Sequence, residues 1–210
     1  MKYENAEQFA IDNSSPESDV LAEIRRDTWV NVMYPQMLTD ELQGNILQQI
    51  SLMKKPERIL EIGAFTGYSA VCLSKGLTEN GIIDSIEINA ELETRILKNL
   101  KMAGISEKVN LHLGNSLEII PEQKHNYDLV YMDADKSQYP AYLKLLYPKL
   151  NAGGILLVDN VLWGGKMLNM DEQKDKESKG IAEFLNLAPQ FPWQQYGIIP
   201  MADGLWMGVK

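Results

Sequence analysis

Between residues 55 and 160 the chain alternates short apolar runs with longer stretches of helical spacing. The runs Arg58–Ile62, 82–88, Val109–Leu113, Tyr127–Met132 and 154–158 are bounded by Gly and polar residues. Helix-like segments at 67–79, 90–103 and 136–150 lie among them. Runs of this length, mainly apolar, predict buried strands of a parallel sheet with helical crossovers. Upstream, helical patterning dominates residues 16–54. Pro16 suits a first turn, and Tyr34-Pro35 breaks the pattern before Thr39 opens another helix. Downstream, the runs 193–199 and Leu205–Val209 flank Pro200-Met201-Ala202-Asp203-Gly204, whose Pro, Asp and Gly predict a hairpin turn. The expected fold is therefore α/β: a doubly wound, Rossmann-like, mostly parallel seven-stranded sheet with antiparallel C-terminal strands and helices ahead of it. Residues 163–178 are polar and led by Gly164-Gly165, which predicts a mobile loop at the strand ends.

Length changes the picture little. The 210 residues, 45% of them hydrophobic, suit one domain over 1–210, with a helical segment at 1–54 and the α/β core at 55–210. Charge excludes more. A net charge of −9, with 20 Lys and Arg spread along the chain, supplies no basic patch for phosphates, so nucleic acid is not an expected partner. No apolar stretch approaches the roughly 20 residues that span a bilayer. The polar opening Met1-Lys2-Tyr3-Glu4-Asn5 lacks a signal-peptide core, so a cytoplasmic protein without a membrane partner is expected. Cys72 reads as a helix-core residue. His112 and His125 lack metal-ligand spacing and read as strand or surface polar groups.

Chemistry concentrates where two apolar runs end, at Asp133-Ala134-Asp135-Lys136 and at Asp159-Asn160. Ligands bind at the carboxyl ends of parallel strands. There Asp133, Asp159 and Asn160 would offer two carboxylates and one amide oxygen to a hard divalent cation, with Lys136 beside it. A single Asp at such a position is commonly a cap or turn former; the combination carries the metal reading. The first run ends in Glu61-Ile62-Gly63-Ala64-Phe65-Thr66-Gly67-Tyr68-Ser69, a nucleotide-type turn that is not G-x-G-x-x-G. Phe65 occupies the position where a second glycine would admit a pyrophosphate, which disfavours nicotinamide and flavin. S-adenosylmethionine fits better. Its cationic centres suit an acid such as Glu61, and its carboxylate could sit on the helix start near Ser69. Glu87 ends the second run where a ribose is usually held, and Ser116 follows the third where adenine would reach.

These residues resemble the cation-dependent O-methyltransferases, the caffeoyl-CoA and catechol O-methyltransferase group and its bacterial members. The likeness rests on Met37-Leu38-Thr39 with Gly44, Leu60-Glu61-Ile62-Gly63 with Thr66-Gly67-Tyr68-Ser69, Asp133-Ala134-Asp135-Lys136 with Tyr139, Asp159-Asn160-Val161-Leu162-Trp163, and Asp203-Gly204. The resemblance implies a class I methyltransferase fold. It implies cofactor contacts from Thr39, Glu61, Gly63, Ala64, Ser69, Glu87, Ser116 and Asp135, a cation (magnesium first, manganese or calcium as alternatives) on Asp133, Asp159 and Asn160, and Lys136 as base. Together with the amphipathic N-terminal helices it also gives a homodimer as the expected assembly. Gly164 stands where the plant enzymes carry an asparagine that contacts substrate, which leaves selectivity for a coenzyme A ester open.

The chemistry is consistent with that set. A phenol with pKa near 10 is only on the order of 0.1% ionised at neutral pH, so a nearby cation and base are needed to favour the anion. Three protein oxygens leave room for two adjacent hydroxyls on an octahedral ion, so the expected acceptor is a small aromatic vicinal diol flanked by Trp163 and Tyr139. Two alternatives stand beside this reading: an S-adenosylmethionine-dependent methylase of protein or RNA, and a non-catalytic binding protein on the same fold. The methylases of planar nitrogens carry Asn or Asp followed by Pro-Pro and an aromatic after the fourth strand, where this chain has Asp133-Ala134-Asp135-Lys136.

Overall fold

A computed structural model describes residues 6–169 and 174–210. The polar opening 1–5 and the central part of the expected loop, 170–173, lie outside the described residues. Seven strands form one sheet: β1 (Arg58–Ile62), β2 (Ile82–Glu87), β3 (Val109–Leu113), β4 (Tyr127–Met132), β5 (Leu150–Val158), β6 (Gln195–Ile199) and β7 (Leu205–Val209), in the order β3-β2-β1-β4-β5-β7-β6. The five strands from β3 to β5 in that order are parallel, and β7 runs antiparallel between β5 and β6. The strand order reverses between β1 and β4, the place where such sheets open a crevice.

Strand period explains the layering. Leu60, Ile62, Val130, Met132, Leu156 and Val158 face a core shared with α7 (Tyr139–Lys149) and α8 (Lys176–Leu187). The alternate residues Ile59, Leu129, Tyr131 and Leu157 face α2 (Asp19–Asn31), α3 (Glu41–Lys54) and α4 (Tyr68–Ser74). Two helical layers thus cover both faces, which is why these strands read as mainly apolar. The remaining helices are α1 (Ala6–Asp12), α5 (Glu93–Met102) and α6 (Ser116–Glu122). Cys72 is buried in the core, as its sequence context suggests. Among the described residues no helix is long and apolar enough to cross a membrane.

Some expectations are corrected. Pro16 lies ahead of α2, whose cap is Ser18; its side chain accepts from Leu21 N. Asp40, not Thr39, caps α3, accepting from Gln43 N at 2.8 Å. β5 begins at Leu150, four residues earlier than its apolar run, after which Gly153 adopts φ +70° and the pairing with β4 is irregular. The expected loop at 163–178 contains a 3₁₀ turn (Lys166–Leu168) and the start of α8, tied by a 2.7 Å ion pair between Lys166 and Asp175. Asp175 caps α8 by accepting from Ser178 N at 2.8 Å, and it also accepts the Ser178 hydroxyl.

Candidate active site

The ladder of the sheet carries the polar strand ends into register. Gly63 N donates to Ile86 O (2.9 Å), Asp133 N to Ile62 O (2.9 Å) and Asp159 N to Met132 O (3.0 Å), so the turn after β1 and the two acids follow one another across three neighbouring strands. Gly63 has φ +97°, and a Cβ there would lie 1.9 Å from the Asp133 carbonyl oxygen. No other residue fits without pushing the first turn off the β4 end. Phe65, where a dinucleotide site has glycine, is left-handed as well (φ +48°). Its amide donates to Glu87 Oε2 (2.7 Å), and Glu87 Oε1 accepts from Asn89 N (2.8 Å). Glu87 therefore braces the turn and still has acceptor sites on both oxygens.

Beneath that turn Glu61 is fully buried. The Ser85 hydroxyl donates to its Oε2, while Oε1 has no hydrogen-bond partner. Burial pushes its carboxyl up to about 7. The hydroxyls of Ser69 and Ser85 pull the other way, and Glu87 and Asp133 add repulsion. An orphaned oxygen on a buried acid below a glycine turn suits a ligand that brings a donor or a positive charge. Ala64, Ser69 and Ser116 are buried nearby in sequence order, on the turn, the first turn of α4 and the first residue of α6.

The acid end is different in character. Lys136 Nζ donates to Asp133 Oδ1 at 2.6 Å. Asp159, 4% exposed, accepts three hydrogen bonds: Gln43 Nε2 (2.7 Å) and the Tyr131 hydroxyl (2.8 Å) on Oδ2, and Asn160 N (2.7 Å) on Oδ1. Gln43 Nε2 also reaches the Tyr131 hydroxyl at 3.0 Å, and the Thr39 side chain bonds the same hydroxyl. Burial, then repulsion from Asp133, drives the Asp159 carboxyl up to about 7 despite Gln43, Tyr131 and the Lys136 charge. Asn160 is left-handed (φ +57°), a conformation asparagine tolerates. Among the described residues no three His, Cys, Asp or Glu side chains cluster as a metal cage. The set that does assemble is two mutually repelling carboxylates, with Asn160 next to Asp159 along the chain. All its donors are oxygen, as a hard divalent cation prefers.

Other predicted residues take different places. Asp135 is exposed and caps the turn Lys136–Gln138, accepting from Ser137 N (2.9 Å), the Ser137 hydroxyl and Gln138 Nε2. Tyr139 is fully buried; its hydroxyl donates to Asp159 O (3.0 Å) and its ring meets Phe184 edge-on. It supports the β5 end; the face expected to flank a substrate is covered in this structure, and the Lys136 ammonium lies 5.9 Å from the ring centroid. Trp163 is half-buried with φ +49°, and the Lys136 and Lys166 ammonium groups each lie 5.9 Å from its ring centroid. Its segment is pinned by the β6–β7 turn: Val161 N donates to Gly204 O, Leu162 N to Asp203 O and Gly164 N to Asp203 Oδ1. That accounts for Asp203-Gly204 in physical terms. Gly180 of α8 passes so close that a Cβ would lie 2.4 Å from Lys136 O, which seats the lysine's turn against the helix. Sequence reasoning missed Gln43 and Tyr131. The signal was available only in part, as a polar pair at one helix start and on one apolar strand.

Comparison with known proteins bears on the family and the fold. The O-methyltransferase family model matches residues 11–210. A caffeoyl-CoA O-methyltransferase of Stellaria longipes is 30% identical over 173 residues, spanning 79% of this chain and 71% of the relative. A catechol O-methyltransferase of Niastella koreensis is 25% identical over 80% of this chain and 77% of its own length. Among solved structures, an O-methyltransferase from Bacillus cereus in complex with SAH superposes with a TM-score of 0.88 at 24% identity, covering 97% of this chain and 96% of that one. TomG from Streptomyces achromogenes, an O-methyltransferase in complex with SAM, gives 0.89 at 24% identity over 97% and 94%. These two show the shared fold.

Proposed function

The chain belongs to the O-methyltransferase family, and from that premise we propose that it transfers the methyl group of S-adenosylmethionine to a hydroxyl of a small catechol-type aromatic, with a divalent cation held by Asp133, Asp159 and Asn160. The observation that carries this reading is the convergence of Asp133, Lys136 and the under-compensated Asp159 at the ends of β4 and β5, one strand away from the Gly63 turn. The relatives named for caffeoyl-CoA and catechol support the acceptor class, and the SAM- and SAH-bound neighbours support the cofactor.

In this reading the turn 63–69 and Glu87 hold the cofactor, with Glu61 supplying the buried negative charge that a sulfonium compound favours. The cation, when bound, supplies positive charge that favours the ionised hydroxyl. Lys136 stands within reach of the same position and, once its ammonium has given up a proton to solvent, the neutral amine takes the hydroxyl proton onto Nζ. Trp163, held by Asp203, forms an aromatic wall beside Lys136. Methyl transfer is a direct displacement, so these residues mainly align the partners, and alignment can contribute roughly 7–11 kcal/mol. The test is turnover of S-adenosylmethionine with paired catechols and monophenols, in metal-free buffer and with magnesium. The expected outcome is methylation of the catechols alone, abolished by chelation. Undiminished turnover in excess chelator removes the cation, and equal rates on catechol and phenol remove the diol.

A further inference from the structure

Asp159 is bonded like a carboxylate held in a fixed pose. An ionised carboxylate offers about four acceptor sites. Two on Oδ2 are filled by Gln43 Nε2 and the Tyr131 hydroxyl, one on Oδ1 by Asn160 N, and one on Oδ1 remains. The two donors on Oδ2 are linked to each other at 3.0 Å, and Gln43 (4% exposed) and Tyr131 (fully buried) both sit in dry surroundings. In such surroundings a bonded network is rigid and a broken one is costly.

Gln43 does not belong to the sheet that carries the acids. It comes from the first turn of α3, a helix fixed at its start by the Asp40 cap and drawn against α4 by Gly44. A Cβ on Gly44 would lie 3.0 Å from the Tyr68 ring, so the helix approaches that closely only with glycine there. The amide is thus delivered to Asp159 from across the sheet face, 116 residues away in sequence. A side chain brought that far, buried, and spent on one oxygen of a candidate cation ligand has a specific effect: it selects the orientation in which Oδ1 carries the one open acceptor site.

We infer that Gln43, together with the Tyr131 hydroxyl, is a positioning residue that locks Asp159 for one-oxygen coordination of the cation. The inference rests on the function proposed above. Hydrogen bonds that orient a ligating carboxylate typically matter about 10–100-fold in metal affinity.

The experiment measures magnesium and manganese affinity calorimetrically on the full chain, without acceptor, for wild type, Gln43→Met, Tyr131→Phe and the double variant. Methionine is close to glutamine in length and lacks the donor. S-adenosylhomocysteine affinity and thermal melting are recorded for each. Locking by Gln43 predicts cation binding about 10–100-fold weaker in Gln43→Met, S-adenosylhomocysteine affinity within twofold of wild type, and a double variant that loses less than the product of the single losses, because both donors act on one oxygen. A lowered melting temperature with unchanged cation affinity makes Gln43 a packing residue and overturns the inference. If Gln43→Met does not fold, Tyr131→Phe decides alone by the same cation readout, and unchanged affinity there overturns it equally. Failure of the underlying reading looks different: wild type would bind no cation, or Asp159→Ala would bind it unchanged.

Discussion

Asp128 and Asp159 sit at opposite ends of the same sheet, each with three hydrogen-bond donors, and they behave in opposite ways. Asp128, at the amino end of β4, accepts Glu57 N and Arg58 N on one oxygen and Asn151 Nδ2 on the other. Burial works against its charge, but the Asn151 amide, the two backbone amides and the Lys54 charge outweigh it and hold the carboxyl below its usual range. Asp159, at the carboxyl end of β5, has donors at equally short distances and is pushed up to about 7, because it is more deeply buried and faces Asp133. Donor count therefore does not decide the charge state; depth and neighbouring charge do. One end of the sheet is electrostatically complete. The other is short of positive charge, which is the condition in which a cation is welcome.

The sharpest way to break this contrast is to neutralise each acid in turn. Asp159→Asn keeps the size and one acceptor for Gln43 and Tyr131, so the fold should persist. Turnover should fall beyond the roughly 10–100-fold expected of a residue that merely supports a ligand. Asp128→Ala should leave turnover within about twofold and cost about 1–3 kcal/mol of stability, because two backbone amides at the start of β1 lose their acceptor. Steady-state kinetics and thermal melting on both variants read the outcome. An active Asp159→Asn enzyme, or an inactive but stable Asp128→Ala enzyme, would reverse the assignment of the two ends.

Lys136 offers a second test with a two-sided signature. Its ammonium donates to Asp133 Oδ1, and Asp133 is the carboxylate also proposed for the cation. Lys136→Met should lower turnover on the order of 10²–10⁴-fold if it takes the hydroxyl proton. The loss should shrink at high pH, where the acceptor ionises unaided. The same variant should bind magnesium several-fold more tightly, since Asp133 is freed and a positive charge is removed from roughly the same place. Weaker magnesium binding together with lost activity would mean that the lysine organises the site instead of competing for the oxygen.

The contrast also marks what the sequence could say. Strands were legible almost to the residue for β1, β3, β4 and β7, because each is a short, mainly apolar run rich in β-branched, leucine and aromatic residues and bounded by polar or Gly positions. α6 and α8 were not. The first is seven residues with Pro121 inside, and the second begins in a charged stretch and carries Gly180, which is retained for its close approach to Lys136 O. The acids were legible as strand-end residues. The burial of Tyr139 was not legible, because adjacency to Lys136 in sequence says nothing about which way α7 turns its first residue, and here it turns into the core. Gln43 was invisible because its significance depends on a contact across 116 residues, and a polar residue in the first turn of a helix is ordinarily read as solvated.

The smallest effect expected is on stability against pH, and it sharpens the comparison without requiring activity. Asp159 and Glu61 both have folded values near 7, against ordinary carboxyl values near 4 in the unfolded chain. Between those values the folded state holds protons that the unfolded state has lost, so stability falls as pH rises from about 4 to about 7. Asp128 and Asp27, held low by their partners, act in the opposite sense only below about 4. Metal-free protein should therefore melt several degrees higher at pH 5.5 than at pH 7.5, a separation on the order of what 1–2 kcal/mol produces in a chain of this size. Magnesium should raise the pH 7.5 value and narrow the gap, since a ligand that binds only the folded state stabilises it. Asp159→Asn should lose part of the gap and its magnesium response together, whereas Asp128→Ala should shift both melting temperatures down and leave the gap intact. A gap unaltered by Asp159→Asn would assign the titration to Glu61 alone and leave the β5 end as electrostatically settled as the β4 start.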